Sequence, residues 1–170
     1  MKKENRPYLF LVIILFSLDQ LSKYLIQKYI GLYGQVKVIP GFFNLTHFHN
    51  RGAIFGFFAH THNPVAKIVL PVASLLALGF VIFYFIRTPT QEKTLKLALS
   101  LILAGALGNL VDRLGRGYVV DFLDFYYQRF HWPNFNVADS CISVGAIILF
   151  LTILIKSKGK EKKENVSGAS

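Results

Sequence analysis

Charge is scarce in this chain. Charged residues fill 16% of its 170 positions, where a soluble domain usually carries about a quarter. Together with a hydrophobic share of 53% and a mean hydropathy of +0.44, this excludes an ordinary soluble domain and points to a membrane protein. Cysteine is nearly absent: Cys141 stands alone, so no internal disulfide can form, and in its apolar run it reads as a buried, inert thiol. No nucleic-acid-binding motif accompanies the net charge of +10. The lysines crowd into the tail from Lys156 to Lys163 or punctuate apolar runs, so no nucleic-acid partner is indicated. No small-residue cleavage site follows the first apolar run; Asp19, Gln20 and Lys23 come next. That run therefore reads as a retained membrane span, not a leader. His47, His49, His60 and His62 invite a metal reading, but strong zinc spacings are missing and no Cys lies near them, so no metal is expected. There is no clear internal repeat.

What the chain has in abundance is long apolar segments. Four are long enough to span a bilayer, which takes roughly 20 residues. They cover about residues 8–27, 65–86, 95–111 and 137–155. The expected architecture is an all-α membrane protein of four transmembrane helices with a small extracytoplasmic, β-containing loop region. It forms a single integral-membrane domain over 1–170, and 156–170 reads as a basic, disordered cytoplasmic tail. The alternating stretches Gln35–Val38 and Asn44–His49, around Pro40-Gly41, predict two short strands. Gly52 and Ala53 leave room for close approach, and Phe55, Phe57 and Phe58 suit an interface or a hydrocarbon ligand. Residues 114–135 read as a second polar loop. Ala104 and Gly108 form a small-xxx-small pair for close helix packing. Basic residues at the two termini and in the 88–94 connection region number eleven, against six on the opposite side. The positive-inside rule then puts both termini in the cytoplasm and both long loops outside.

With that topology, Asp19, Asn109, Arg113 and Asp139 fall in the outer halves or ends of separate spans. Polar groups in a membrane are costly, about 2.5–3.5 kcal/mol for Asp or Arg at a helix centre, and they cluster where function needs them. Ordinary explanations stand beside this one. Asp19 and Lys23 are i,i+4 neighbours and can pair. Asp112 and Arg113 can form a span-ending pair, Asn136 can be an N-cap, and Asp139 can favour a helix dipole. Asp121 lies in VVDF, where poor solvation raises a carboxyl pKa. Asp121 and Asp139 are too far apart in sequence for one helix face, but they meet if the intervening loop folds back, and two such carboxylates can share a proton.

DQLSK at 19–23, NRGA at 50–53, GNLVDR at 108–113, VVDF at 119–122 and FNVADS at 135–140 stand in the order of the motif set of bacterial lipoprotein signal peptidases, which the chain resembles over about 8–155. The resemblance implies an aspartyl endopeptidase of the bacterial cytoplasmic (inner) membrane. Its site would lie at the extracytoplasmic face, and it would remove the signal peptide from a diacylglyceryl-cysteine-modified prolipoprotein. It implies Asp121 and Asp139 as catalytic residues and Asn50, Asn109, Arg113 and Asn136 as substrate-binding ones, with Asp19 in support; Lys23, its i,i+4 partner, joins it there. It implies no cofactor and no metal, with the lipidated precursor and membrane lipid as partners. The rival class is a proton-coupled transporter or membrane-assembly subunit with the carboxylates as a proton relay. It favours helix repeats and carboxylates spread through the membrane depth, which this chain lacks.

Overall fold

A computed structural model describes residues 3–51 and 64–167. The expectations for Gly52, Ala53, Phe55, Phe57, Phe58, His60 and His62 lie outside the described residues. Four helices are long and apolar enough to cross a membrane. Helix α1 (Arg6–Tyr29) carries Pro7 in its first turn, where the missing N–H costs nothing. Helix α2 is Pro64–Arg87 and carries Pro71 internally. Helix α3 (Lys93–Arg116) ends at Gly117, which takes the left-handed conformation at φ 76° and returns its N–H to Arg113 O. Helix α4 is Val137–Ser167.

Two boundaries differ from the sequence reading. The third span was expected to stop near residue 111, where Asp112 and Arg113 end the apolar run; the helix continues because those side chains find partners inside the bundle. The chain beyond 155 was expected to lack structure, yet α4 runs to Ser167. Lys and Glu are good helix formers, so the apolar span Val137–Lys158 extends into them without a break.

Helix α3 is the hub. It packs against α1, α2 and α4, and Val12, Leu78, Leu103, Ala104 and Leu110 form a buried cluster from α1, α2 and α3. Two glycines permit close approach. A Cβ on Gly105 would strike the Ala138 carbonyl of α4, and one on Gly108 would lie 2.5 Å from Asp19 Oδ2 of α1. The latter belongs to the expected small-xxx-small pair, and what it admits is a carboxylate. At the far end of α3, Lys96 is fully buried; its ammonium donates to Phe85 O, a carbonyl of the last turn of α2 that has no helical partner of its own.

The sheet sits over one end of the bundle. Strands β1 (Gln35–Ile39) and β2 (Phe43–Asn50) are the expected hairpin. The 114–135 region, read as a loop, contains β3 (Val119–Tyr127) and the short β4 (Phe130–His131). The antiparallel order is β1-β2-β3-β4. Val119 to Phe122 are all buried, so both faces of β3 are covered and the alternation that marks a half-exposed strand is lost. Ile26, Ile30, Val120 and Phe122 seat this strand on the end of α1. Asp121 and Asp124, three residues apart, face opposite sides of β3. Asp124 is spent on the sheet, accepting from Asn44 Nδ2 and bonded to His131 Nδ1, each at 2.8 Å. Asp121 turns to the bundle.

Candidate active site

Four segments meet where β3 crosses the ends of α1, α3 and α4. The start of α4 is held by a reciprocal cap. Asn136 Oδ1 accepts from Asp139 N at 2.9 Å, and Asp139 Oδ2 accepts from Asn136 N at 3.2 Å. This is a capping box in which Asn and Asp replace the usual Ser/Thr and Glu. The N-cap expectation for Asn136 holds, and the same bonds orient Asp139. Asn136 does more: its Nδ2 donates to Asp121 Oδ1 at 2.8 Å. Asn136 thus links the two aspartates, its side-chain amide on the Asp121 carboxylate and its backbone N–H on that of Asp139, and the loop does fold back to bring them together.

Each carboxylate has a second amide. Asn50 Nδ2 donates to Asp121 Oδ2 at 2.8 Å, delivered by the end of β2. Asn109 Nδ2 donates to Asp139 Oδ1 at 2.7 Å, delivered by α3. Asn109 Oδ1 faces Lys23 Nζ at 3.2 Å and Asn136 Nδ2 at 3.3 Å. Asn109 and Asn136 were expected to contact substrate. Both are buried, Asn136 completely, and their amides are occupied by the aspartates and by each other.

Behind these lies a buried charge cluster. Lys23 Nζ, fully enclosed, lies 2.7 Å from Asp19 Oδ2 and 2.8 Å from Asp112 Oδ2. The expected Asp19–Lys23 pair is present. Asp112 does not pair with Arg113 as expected; its partners are Lys23 and Arg116, one turn on. Its Oδ2 is held by the Lys23 ammonium, 2.8 Å away. Asp19 Oδ1 accepts from Ala138 N at 2.9 Å, which puts a carboxylate of α1 on a second unpaired N–H at the start of α4. The cluster therefore fixes the register of α1, α3 and α4 at the level of Asp139. Gln20 was not singled out from the sequence. Its amide lies within 3.1–3.3 Å of Asp19 Oδ2, Gly108 O and Asp112 Oδ1, and the only hint was an amide beside an aspartate in an apolar span. Arg113 is half-buried, donates to Ser74 of α2 at 3.2 Å, and lies within electrostatic reach of Asp139, Asp121 and Asp112.

Burial, and then the Asp139 carboxylate, push the Asp121 carboxyl up to about 7. The Asn50 and Asn136 donors and the Lys23 ammonium hold it back from rising further. Asp121 is thus a carboxyl that can keep a proton near neutral pH beside a second carboxylate. All of the sequence-predicted site residues, Asp19, Lys23, Asn50, Asn109, Arg113, Asp121, Asn136 and Asp139, lie in or against this one assembly.

Comparison with known proteins places the whole membrane body in one family. Residues 11–155 match the family described as "Signal peptidase (SPase) II". A "Lipoprotein signal peptidase" of Syntrophus aciditrophicus is 41% identical over 95% of this chain and 99% of its own length. One from Symbiobacterium thermophilum is 40% identical over 88% of this chain and 95% of its own. Among solved structures, one titled "Bacterial membrane enzyme structure by the in meso method at 2.3 A resolution" superposes with a TM-score of 0.76. It is 31% identical, and the match covers 91% of each chain.

Proposed function

Because this chain belongs to the signal peptidase II family and is a multi-pass membrane peptidase, we propose that it works as an aspartyl endopeptidase. Its substrate is a prolipoprotein whose cysteine carries diacylglycerol, and it cuts just before that cysteine. The observation that carries this reading is Asn136 joining the two carboxylates, Asp121 through its side-chain amide and Asp139 through its backbone N–H, with the Asp121 carboxyl raised to about 7. Among the described residues the assembly holds four carboxylates, Asp19, Asp112, Asp121 and Asp139, against the cations Lys23, Arg113 and Arg116. One proton on the Asp121–Asp139 pair brings the buried site to neutrality, which a poorly hydrated site favours.

Asp121 holds that proton and Asp139 is the ionised partner. Asp139 takes a proton from water, the water oxygen attacks the scissile carbonyl, and Asp121 donates its proton to the carbonyl oxygen. The resulting gem-diol collapses. The C–N bond breaks, a proton passes to the leaving nitrogen, and the signal peptide departs with a new carboxyl end. Asn109 and Asn136 position the two carboxyl groups. Arg113 and Asn50, the latter also donating to Asp121, contact the precursor's backbone and lipid carbonyls. The basic-residue bias supports both termini in the cytoplasm of the inner membrane and the site at the outer face, where the apolar part of a signal peptide ends. The test is incubation of purified protein in detergent with a precursor peptide in lipidated and unlipidated forms. Release of the signal peptide from the lipidated form alone is the expected result; no cleavage of either form overturns the proposal.

A further inference from the structure

Helix α2 is almost bare of polar side chains. Between Lys67 and Arg87 it reads IVLPVASLLALGFVIFYFI, and Ser74 is the one aliphatic hydroxyl in that run. A serine or threonine inside a helix commonly turns its hydroxyl back to a carbonyl three or four residues earlier. Ser22, Ser100, Ser140 and Thr152 do so here, donating to Asp19 O, Lys96 O, Asn136 O and Ile148 O. Ser74 is used differently. Its Oγ accepts from Arg113 Nη1 of α3 at 3.2 Å. Its place is fixed, because Leu78, one turn on, sits in the buried cluster with Leu103, Ala104 and Leu110 of α3.

Arg113 has need of such a partner. Its guanidinium presents five N–H donors in a rigid planar fork. Asp139, Asp121 and Asp112 act on it through space, whereas the hydrogen bond it makes among the described residues is the one to Ser74. In a poorly hydrated site an unrestrained guanidinium closes on the nearest carboxylate as a bidentate pair. Closure on Asp139 would cover the oxygens that take the proton from water. It would also occupy the donors that the precursor's carbonyls need. A hydroxyl on α2 anchors one N–H and leaves the positive charge unneutralised, which a carboxylate in its place would not do.

We propose that Ser74 is a positioning residue. It holds the Arg113 guanidinium against α2 and off Asp139, with the remaining donors open to the carbonyl oxygens of the precursor. This rests on the reading of the site as that of a prolipoprotein peptidase. Without Ser74 the guanidinium relaxes onto Asp139, and the precursor must draw it back as it binds. The penalty then falls on binding, so it appears in KM and not in kcat.

The experiment measures steady-state cleavage of a lipidated precursor peptide in detergent by wild type, Ser74→Ala and Ser74→Thr, with thermal melting of each. Alanine is nearly isosteric with serine and is the best helix former, so Ser74→Ala should melt as wild type does. Its KM should rise about tenfold, the lower end for a hydrogen bond to a charged group, with kcat unchanged. Ser74→Thr, which restores the hydroxyl, should return KM towards the wild-type value. An unchanged KM in Ser74→Ala, when the wild type cleaves, overturns this inference alone. A lowered melt with loss of kcat, or a threonine variant as impaired as the alanine one, assigns Ser74 to packing and also overturns it. No cleavage by the wild type overturns the peptidase reading, and the inference falls with it.

Discussion

Lys23→Met tests whether the buried cluster serves the chemistry as well as the fold. Methionine fills much the same volume and removes the ammonium. Asp19 then keeps Ala138 N and Gln20, and Asp112 keeps Arg116 and Gln20, but both carboxylates lose their shared cation. Breaking a fully buried pair costs about 3–5 kcal/mol. Because each acid retains other partners, the lower end, about 3 kcal/mol, is expected in thermal unfolding in detergent. A second effect separates this residue from a purely structural one. The Lys23 ammonium draws the Asp121 carboxyl downward from the value set by burial and Asp139. Without it the protonated form gains, and the folded pKa moves above about 7. The shared proton is then kept to higher pH, so the alkaline limb of the single-turnover rate profile should shift upward. Lys23→Met/Asp112→Asn should recover part of the stability and none of the shift. A single variant within about 1 kcal/mol of wild type, with an unmoved alkaline limb, refutes this reasoning.

Three further outcomes are expected. Asp121 has a folded pKa of about 7 against about 3.9 unfolded, so the folded chain binds more protons between those values and loses stability as pH rises through that window; thermal melts of Asp121→Asn should show a flatter dependence from pH 4 to 7. Gly108→Ala would put a methyl 2.5 Å from Asp19 Oδ2 and 3.2 Å from Ala138 Cβ, an overpacking that should cost about 1–3 kcal/mol and slow cleavage by displacing the start of α4, whereas Gly79→Ala, with open space around it, should do neither. Reporters fused after residue 170 and within 88–94 should read cytoplasmic and those within 31–63 and 114–135 external, and an external C-terminus would reverse the placement of the site.

The helices were legible because 20-residue apolar runs have few other uses, and β1 and β2 because Gln35 to Val38 alternates around a Pro-Gly turn. Strand β3 was not. Two aspartates interrupt its apolar run, and burial of both its faces removes the period-two pattern. The residues of the site were legible as polar interruptions of apolar segments and as motifs in a familiar order. Their division of labour was not. Nothing in the sequence shows that Asn136 Nδ2 reaches Asp121 while its Oδ1 caps α4, or that Asp112 faces Lys23 and not Arg113. Such pairings are set by how α1, α3 and α4 register against one another, which Gly105 and Gly108 permit through contacts remote in sequence. The ordinary explanations also proved compatible with the functional one: Asp139 stands in the first turn of α4 and joins a capping box, and the same bonds aim it at the Asp121 side of the site.

The two-aspartate mechanism is tested most directly by single-turnover cleavage of a lipidated precursor by Asp121→Asn and by Asp139→Asn, with folding verified by melting in detergent. Each substitution keeps the side-chain shape and removes one of the two groups that share the proton. The account predicts folded, membrane-inserted proteins whose turnover falls by at least about 10²–10⁴-fold in either case, and a wild-type profile that is bell-shaped in pH with apparent pKa values belonging to the pair. An Asp139 that served only the helix dipole would cost about 0.3–1 kcal/mol of stability and leave cleavage intact. Near-wild-type turnover in either variant would contradict the account.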